Sequence, residues 1–162
     1  MLVIRKATAA DATLIVDMIR ELAEFEHELE QVDATPQDLL RDGFGANPSF
    51  YASVAEWDGQ PAAYVLYFFT YSTWAGRTGL FIEDVFVRSQ FRSKGIGKAL
   101  LQHMAVIARE HNCFGMHWEV LGWNTTAIDF YCSLGAQIRT GWLPMQFMGR
   151  AFEELASAES RS

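Results

Sequence analysis

The sequence predicts an α+β domain whose mixed, mostly antiparallel central sheet carries helices on both faces. Three observations support this fold class. Strand-like and helix-like apolar patterns follow one another in the order β-α-α-β-β-β-α-β-α-β-β. The pair Asp58-Gly59 separates two strand-like runs, which is typical of a β-hairpin. A glycine-rich loop, residues 92–98, lies between a strand pattern and a helix pattern. The predicted domain covers residues 1–155, and residues 156–162 are expected to form a flexible tail.

The N-terminal part is predicted to form one strand and two helices. Val3–Arg5 is the first strand, and Asp11 is placed to cap the first helix. That helix has apolar residues at helical spacing: Leu14, Ile15, Met18, Ile19 and Leu22. Thr35-Pro36 has the N-cap and first-turn residues of a second, short helix that ends near Gly43–Gly45.

Three strand-like runs then predict an antiparallel meander. They are Phe50–Trp57, Ala62–Thr70 and Gly79–Val87. Asp58-Gly59 connects the first two runs as a tight turn. The glycine loop therefore comes directly after the third strand of the meander.

The C-terminal part predicts two more helices and up to three more strands. The helix after the glycine loop has the apolar residues Leu100, Leu101, Met104, Ile107 and Ala108. Met116–Leu121 is predicted as a strand, and Thr125–Leu134 as a helix stopped at Gly135. The apolar stretch Gln137–Phe152 is predicted to form two strands, broken around residues 141–144.

Composition and charge exclude several classes of protein. The net charge of −7 over 162 residues argues against nucleic acid as the main partner and favours a small cationic substrate. No apolar run approaches ~18 residues, so no membrane span is expected, and the first residues enter a strand pattern without a signal peptide. Neither the two cysteines nor the four histidines have metal-ligand spacing, so we expect no metal and a cytoplasmic protein with reduced thiols.

The glycine loop Arg92-Ser-Lys-Gly-Ile-Gly-Lys98 predicts an anion-binding site. The first amides of a helix lack partners within the helix, and the helix dipole adds about half a positive charge there. Gly95 and Gly97 allow close approach to the backbone, and three cations flank them. The expected ligand is a phosphate or pyrophosphate, the alternative being an ordinary glycine turn.

Two common nucleotide-binding motifs do not fit this loop. A P-loop needs a first glycine where the chain has Arg92, and a Ser or Thr where it has Ala99. A dinucleotide-binding loop needs a third glycine where the chain has Leu100. The remaining pattern, Arg-x-x-Gly-x-Gly, resembles the coenzyme-A loop of the GCN5-related acetyltransferases (GNAT superfamily). The element order predicted above is also the order of that fold.

Acetyl transfer from a thioester to an amine needs an unprotonated amine, a polarised carbonyl and a proton for the leaving thiolate. Tyr131 is the candidate donor of that proton. It lies in Asn124-Thr-Thr-Ala-Ile-Asp-Phe-Tyr-Cys-Ser-Leu-Gly-Ala136, which resembles a second GNAT motif whose tyrosine commonly stands beside the thioester sulfur. The alternative is a packed aromatic side chain with a satisfied hydroxyl group.

Acidic and aromatic residues supply candidates for the amine site. Glu83 and Asp84 lie in a strand, where neighbouring side chains point to opposite faces unless the strand is bulged. One of these carboxylates could take the amine's protons through a water or bind the ammonium. The alternative is a surface pair or a salt bridge. Glu26 belongs to an acidic segment, and Trp74 and Trp142 could attract a cation to their rings, although each tryptophan is more often a core residue.

The chain resembles one family within the superfamily, the spermidine/spermine (diamine) acetyltransferases, and within it the thialysine branch. The segments that carry this resemblance run from Val3 to about Trp142. They include Ile4–Asp11, Ile19–Ala23, Asp42–Gly45, Phe69–Thr78, Glu83-Asp84, Phe91–Gly97 and Phe130-Tyr131. The last ~20 residues match poorly.

The resemblance implies an N-acetyltransferase that uses acetyl-CoA as co-substrate, in a homodimer with acceptor clefts near the interface. Glu83 would remove protons from the amine, and Tyr131 would be the general acid. The implied acceptor residues are Phe25, Glu26, Trp74, Asp84 and Trp142. The implied acetyl-CoA residues are Val85, Phe86, Val87, Arg92, Ser93, Lys94, Gly95, Ile96, Gly97, Lys98, Asn124, Thr125, Thr126 and Ala127.

Two departures bear on the substrate. Polyamine-acetylating members have a carboxylate where this chain has Ser72, and a tyrosine where it has Phe25. One carboxylate fewer favours a shorter amine, one that could carry its own carboxylate, over a long polycation. The predicted substrate is therefore a primary amine of a thialysine-like amino acid, a diamine or a polyamine, attacked directly in a ternary complex. The alternatives are an acetyl-CoA sensor without turnover and an acetyltransferase for protein N-termini or lysines.

Overall fold

A computed structural model describes residues 1–157 of the chain. These residues form two compact units, of which the first covers Met1–Glu119 and the second begins at Val120. Of the predicted tail, Ala156 and Ser157 end the last helix, and residues 158–162 lie outside the described part.

The first unit consists of a sheet and three helices. Its strands are β1 (Leu2–Lys6), β2 (Tyr51–Trp57), β3 (Gln60–Ser72), β4 (Arg77–Val87) and β5 (Met116–Trp118). Its helices are α1 (Ala12–Phe25), α2 (Pro36–Gly43) and α3 (Ile96–Glu110). The strand order in the sheet is the order of the sequence, with β1 to β4 antiparallel and β5 parallel to β4. The predicted mixed, mostly antiparallel sheet is confirmed.

The hairpin between β2 and β3 has the turn that the sequence predicts. Asp58 and Gly59 both have positive φ angles, of 50° and 77°. Two consecutive left-handed residues match the right-handed twist of the flanking strands. The prediction from the Asp-Gly pair is therefore confirmed at the level of backbone geometry.

Helices pack on both faces of the sheet, as predicted. On one face, α1 and α2 bury Ile15, Met18 and Leu39 in a cluster that also contains Val54 of β2 and Tyr64 of β3. On the other face, the hydroxyl of buried Ser53 lies 3.1 Å from the Nε2 atom of His103 on α3. Because neighbouring strand residues alternate between faces, Ser53 and Val54 mark the two sides of β2.

The two predicted helix caps have different outcomes. Thr35 caps α2, with its hydroxyl accepting from the Asp38 amide at 3.3 Å and the Asp38 carboxylate accepting from the Thr35 amide at 2.9 Å. Asp11 occupies the N-cap position of α1 as predicted, but its side chain makes no capping hydrogen bond. Its carboxylate instead accepts from the guanidinium of Arg5 and the amide of Thr8.

Strand β5 is shorter than predicted, ending at Trp118 rather than Leu121. Its register pairs it only with Leu80–Ile82 of β4. The next residue of β4, Glu83, lies at a bulge, because Leu66 pairs with Asp84 whereas Tyr67 pairs with Ile82. A bulge bends the strand and interrupts pairing, which accounts for the early end of β5.

The second unit contains α4 (Thr125–Ser133) and α5 (Gly149–Ser157). The Asn124 side chain caps α4 by accepting from the Ala127 amide at 3.2 Å, and Gly135 follows the helix with a φ of 99°. The two strands predicted within Gln137–Phe152 are wrong: residues 137–148 form no strand, and the segment ends in α5. Apolar runs do not distinguish a strand from a helix.

Candidate active site

The loop between β4 and α3 has the geometry of an anion site. Gly95, with a φ of 77°, occupies the N-cap position of α3, and Ser93 is also left-handed at 62°. No side chain caps this 15-residue helix, and its first turn holds no acid. The amides of Ile96, Gly97 and Lys98 therefore begin the helix without a partner within it. The strand–loop–helix arrangement that the sequence predicts is confirmed.

Two of the predicted loop cations lie over aromatic rings. The Nζ atom of Lys94 lies 5.1 Å from the ring centre of Trp57. The guanidinium of Arg92 lies 4.8 Å from the ring centre of Phe25, and its Nε atom donates to the Val87 carbonyl at 3.1 Å. Contacts at these distances are attractive for a cation. Arg92 thus links the glycine loop to the C-terminal end of α1.

Strands β4 and β5 separate beside this loop. In the first unit, β5 pairs with β4 as far as Ile82, and from Glu83 to Val87 that edge of β4 has no strand partner. The opposite edge stays paired with β3, through Val65–Val85 and Ala63–Val87. Backbone donors and acceptors on the open edge are available to an extended ligand.

Three carboxylates, those of Glu26, Glu83 and Asp84, lie near one another in the first unit. Glu26 follows the last residue of α1, is partly buried, and has a pKa raised by burial and then by the charge of Glu28. Burial also raises the pKa of Asp84 to about 6, with the charges of Glu83 and Glu26 acting in the same direction. Glu83 is exposed. No guanidinium or ammonium group in residues 1–157 contributes to the shift of Asp84.

A buried tyrosine supports this carboxylate group. The hydroxyl of Tyr64 donates to Oδ2 of Asp84 at 3.0 Å, and this bond opposes the rise in the pKa of Asp84. Tyr64 is fully buried, and burial together with the charge of Asp84 raises its own pKa well above the ordinary value. The phenol therefore stays protonated and keeps its donor role.

The structure brings some of the predicted acceptor residues together and separates others. Phe25 and Glu26 are consecutive at the end of α1, and the charge of Glu26 reaches Asp84. Trp74 lies in the turn that connects β3 to β4 and is 90% exposed. The last pair of that hairpin, Ser72 and Arg77, lies about 20 Å along β3 from the partner of Asp84, at roughly 3.3 Å per residue. Within one chain Trp74 is thus remote from the carboxylates.

The remaining predicted residues belong to the second unit. Asn124 to Ala127 form the N-terminal end of α4. Tyr131 is partly buried on the same helix, with its ring centre 5.4 Å from that of Phe130. Trp142 lies between α4 and α5 and is 70% exposed.

Tyr64 is the site residue that the sequence reasoning missed. Its position gave one signal, a tyrosine among small and aliphatic residues in a strand later found to be buried. The predicted Asp-Gly hairpin sets β2 against β3 and does not give the register of β3 on β4, which the bulge at Glu83 shifts by one residue.

Residues 1–157 contain neither a candidate metal cluster nor a candidate membrane span. No group of three or more histidine, cysteine, aspartate or glutamate side chains among them is arranged to hold a metal ion. None of the described helices is both long enough and apolar enough to cross a membrane.

Comparison with known proteins identifies the family. The model of the acetyltransferase (GNAT) family matches residues 16–136. The chain belongs to the GNAT acetyltransferase family. Members of this family use acetyl-CoA as co-substrate, and this GNAT chain is accordingly an N-acetyltransferase.

Named relatives and a solved structure agree with this assignment. The chain is 42% identical to the thialysine N-epsilon-acetyltransferase of Mus musculus, over 94% of this chain and 96% of that protein. It is 36% identical to the human spermidine/spermine N(1)-acetyltransferase-like protein 1, over 96% of this chain and 24% of that protein. An integron cassette protein from the mobile metagenome of V. cholerae has the same GNAT fold, with a TM-score of 0.81, 25% identity, and coverage of 97% of this chain and 98% of that one.

Proposed function

We propose that this enzyme transfers the acetyl group of acetyl-CoA to a primary amine of a small cationic substrate: a thialysine-like amino acid, a diamine or a polyamine. The proposal rests on the group of three carboxylates formed by Glu26, Glu83 and Asp84. At Asp84, no lysine or arginine of residues 1–157 offsets the negative charges of the other two. An ammonium group would provide the missing positive charge. The similarity to thialysine acetyltransferases supports the same substrate class.

The co-substrate is proposed to bind along β4 and the glycine loop. The open edge of Val85, Phe86 and Val87 suits the amide groups of the pantetheine arm, and the first amides of α3 suit the pyrophosphate. The loop residues assigned to the pyrophosphate are Arg92, Ser93, Lys94, Gly95, Ile96, Gly97 and Lys98. Asn124, Thr125, Thr126 and Ala127 are proposed to flank the arm.

The reaction proposed is direct attack within a ternary complex. The ammonium loses one proton, the amine nitrogen bonds to the thioester carbonyl carbon, and the carbon–sulfur bond breaks. The nitrogen then loses its second proton, and the coenzyme-A thiolate gains one. Glu83 is proposed to drain protons or hold the ammonium, and Tyr131 is proposed to protonate the thiolate.

The acceptor site is proposed to include Phe25, Glu26 and Asp84 of one chain. Trp74 and Trp142 remain proposed substrate residues, and the exposure of Trp74 far along the hairpin suits a contribution to the acceptor site of a second copy.

We also propose a homodimer. The exposed apolar side chains of the second unit support it; they include Ile138, Leu143, Met145, Phe147, Met148, Phe152 and Leu155. The free thiols of Cys113 and Cys132 support a cytoplasmic location.

A thiol-release assay with acetyl-CoA and a panel of amines tests the function. The panel contains thialysine, lysine, ornithine, a short diamine, spermidine and a peptide with a free N-terminus. Turnover with the small amines is expected, with thialysine-like amino acids ahead of spermidine. Turnover with the peptide alone would favour the protein acetyltransferase, and binding of acetyl-CoA without turnover on any amine would favour the sensor.

The substitution Gly97→Asp tests the pyrophosphate site. A carboxylate in the first turn of α3 should repel the pyrophosphate and weaken acetyl-CoA binding at least tenfold in calorimetry. Gly115→Asp is the matched control, because a side chain there meets no atom within 4 Å and its φ is not positive. Equal affinity of both variants would move the coenzyme-A site elsewhere.

Tyr131→Phe and Glu83→Gln test the two proposed proton-handling residues. Loss of the Tyr131 hydroxyl should lower kcat by ~10²–10⁴ with little change in acetyl-CoA affinity, and Tyr71→Phe, an exposed tyrosine on β3, is its control. If Glu83 binds the ammonium, Glu83→Gln raises KM alone; if it drains protons, kcat falls and recovers at alkaline pH. Unchanged kinetics in both variants would contradict these roles.

A further inference from the structure

Tyr64 and Asp84 form a hydrogen-bonded pair that reaches from the core of the first unit to its surface. Tyr64 pairs with Phe86 across the β3–β4 ladder, and Asp84 precedes Phe86 by two residues on the same face of β4. The Tyr64 side chain has no solvent exposure and packs in the cluster under α1, while Asp84 is partly buried above it. The rigid core therefore fixes the position of the phenol oxygen.

The second carboxylate oxygen of Asp84, Oδ1, has no hydrogen-bond partner among residues 1–157. Among residues 1–157, Tyr64 is the hydrogen-bond partner of Asp84, and it uses Oδ2. No buried side-chain nitrogen or oxygen of the described residues lacks a partner. Since Oδ1 has no partner among these residues, it is not a fully buried atom. The tyrosine thus holds one oxygen and leaves the other for a donor that arrives from solution.

We propose that Asp84 takes the proton from the substrate ammonium through Oδ1, and that Tyr64 is the positioning residue that acts through Asp84. This inference rests on the proposed acetyl transfer to an amine. Of the two roles proposed for Glu83, the exposed Glu83 carboxylate then keeps the binding role and holds the ammonium. The step converts the ammonium and the Asp84 carboxylate into a neutral amine and a carboxylic acid, and no further reactant is needed.

The groups around Asp84 suit a base that works near neutral pH. Glu83 on its own strand and Glu26 at the end of α1 both raise the pKa of Asp84, and Tyr64 on β3 lowers it. Arg92, the cation that lies over Phe25 and Phe86, is directed to the Val87 carbonyl and not to Asp84. With a pKa of about 6, the carboxylate is mostly ionised at pH 7 and holds a proton far better than an ordinary aspartate.

A purely structural pair would look different. An aspartate buried for stability is expected to have a cation or several amide donors around both oxygens, as Asp11 has in Arg5 and Thr8. Asp84 has one neutral donor, two neighbouring negative charges and one open oxygen. That environment raises the pKa of Asp84 and so makes it a stronger base. A positively charged substrate would offset the free-energy cost of keeping the carboxylate ionised there.

Tyr64→Phe is the decisive variant, because it removes the hydroxyl and keeps the ring. Without the donor the pKa of Asp84 rises, so the acid limb of the kcat/KM profile should move to higher pH by about 0.5–1 unit. At pH 6.5 this shift should lower kcat/KM by about 1.5–3-fold, and the KM for the amine should change less than twofold. The control is Tyr67→Phe, a buried tyrosine of β3 stacked on Tyr51, which should leave the pH profile unchanged.

The titration of Asp84 in the wild-type protein supplies a readout that does not depend on turnover. Carboxyl ¹³C NMR, with Asp84→Asn used to assign the signal, should give a pKa between 5.5 and 6.5. A pKa below 4.5, or superimposable pH profiles of Tyr64→Phe and wild type, would overturn the proposal. Absence of turnover on every amine combined with a pKa near 6 would instead refute the proposed function and leave the pair intact as a feature of the fold.

Discussion

Two carboxylates of the first unit, buried Asp11 and partly buried Asp84, have opposite electrostatics. Asp11 accepts from the guanidinium of Arg5 at 2.8 and 2.9 Å and from the amide of Thr8 at 2.7 Å, and its pKa is held well below the ordinary value. Asp84 has only the Tyr64 hydroxyl as a partner among the described residues, and its pKa is raised to about 6.

The difference between the two regions separates a residue that stabilises the fold from one that waits for a ligand. At Asp11 the hydrogen bonds from Arg5 outweigh the cost of burial, so the charged form is favoured in the folded state. At Asp84 burial outweighs the single hydrogen bond, and two neighbouring carboxylates add to the cost. A cationic substrate would supply at Asp84 what Arg5 supplies at Asp11.

The largest expected effect is on catalysis. Asp84→Asn should lower kcat by ~10²–10⁴ because the variant has no proton acceptor at this position. Asp11→Asn should keep kcat within about threefold of wild type, since Asp11 lies on the β1–α1 connection and touches no part of the proposed acceptor site. Steady-state kinetics at pH 7.5 with the best amine of the panel measures both. Equal losses in the two variants would remove the distinction between the regions.

The second effect is a loss of stability at Asp11. The folded-state pKa of Asp11 is lowered from 3.8, so its stabilising contribution is present above about pH 4 and is lost as the pH falls below that value. Asp11→Asn should reduce the free energy of unfolding by about 1–3 kcal/mol at pH 7. Urea unfolding at several pH values measures this difference, which should shrink as the pH approaches 2. Asp17→Asn, at an exposed position on α1, is the control and should change little.

Substitution of Asp84 should change the free energy of unfolding in the opposite direction. Its folded-state pKa is raised from 3.8 to about 6, so the protein is most stable with respect to this group below about pH 4 and loses that stability as the pH rises through 6. Asp84→Asn should therefore increase the free energy of unfolding by about 1–3 kcal/mol at pH 8, at ~1.4 kcal/mol per pKa unit, and add little at pH 4. The same urea series measures it, and a destabilised variant at pH 8 would mean that Asp84 is a structural residue like Asp11.

The smallest expected effect measures how far the charge of Glu26 raises the pKa of Asp84. Glu26→Gln removes one of the two carboxylates that raise the pKa of Asp84. The acid limb of kcat/KM should move to lower pH by a few tenths of a unit, and the shift should diminish at 1 M salt, where charges are screened within about 3 Å. Glu24→Gln, an exposed neighbour on α1, should leave the limb in place. A shift of the same size in both variants would indicate a general effect of net charge.

Local sequence patterns predict the order of the elements of the first unit, the hairpin turn and the loop before α3. These features depend on local chemistry: Asp58-Gly59 adopts positive φ readily, Thr35 caps the residues that follow it, and Gly95 permits the left-handed start of α3. The motifs around the loop and Tyr131 also indicated the family that the comparisons confirm.

Which carboxylate is partly buried, and what surrounds it, depends on contacts between strands and helices that are far apart in the sequence. The sequence presents Glu83 and Asp84 as equivalent neighbours, and the bulge in β4 decides that Asp84 lies on Tyr64 while Glu83 is exposed. The same holds for Asp11, whose partner Arg5 comes from β1 and not from the helix that follows. The pKa of a carboxyl group depends on burial and on charges brought together from separate strands and helices, and no local pattern records those distances.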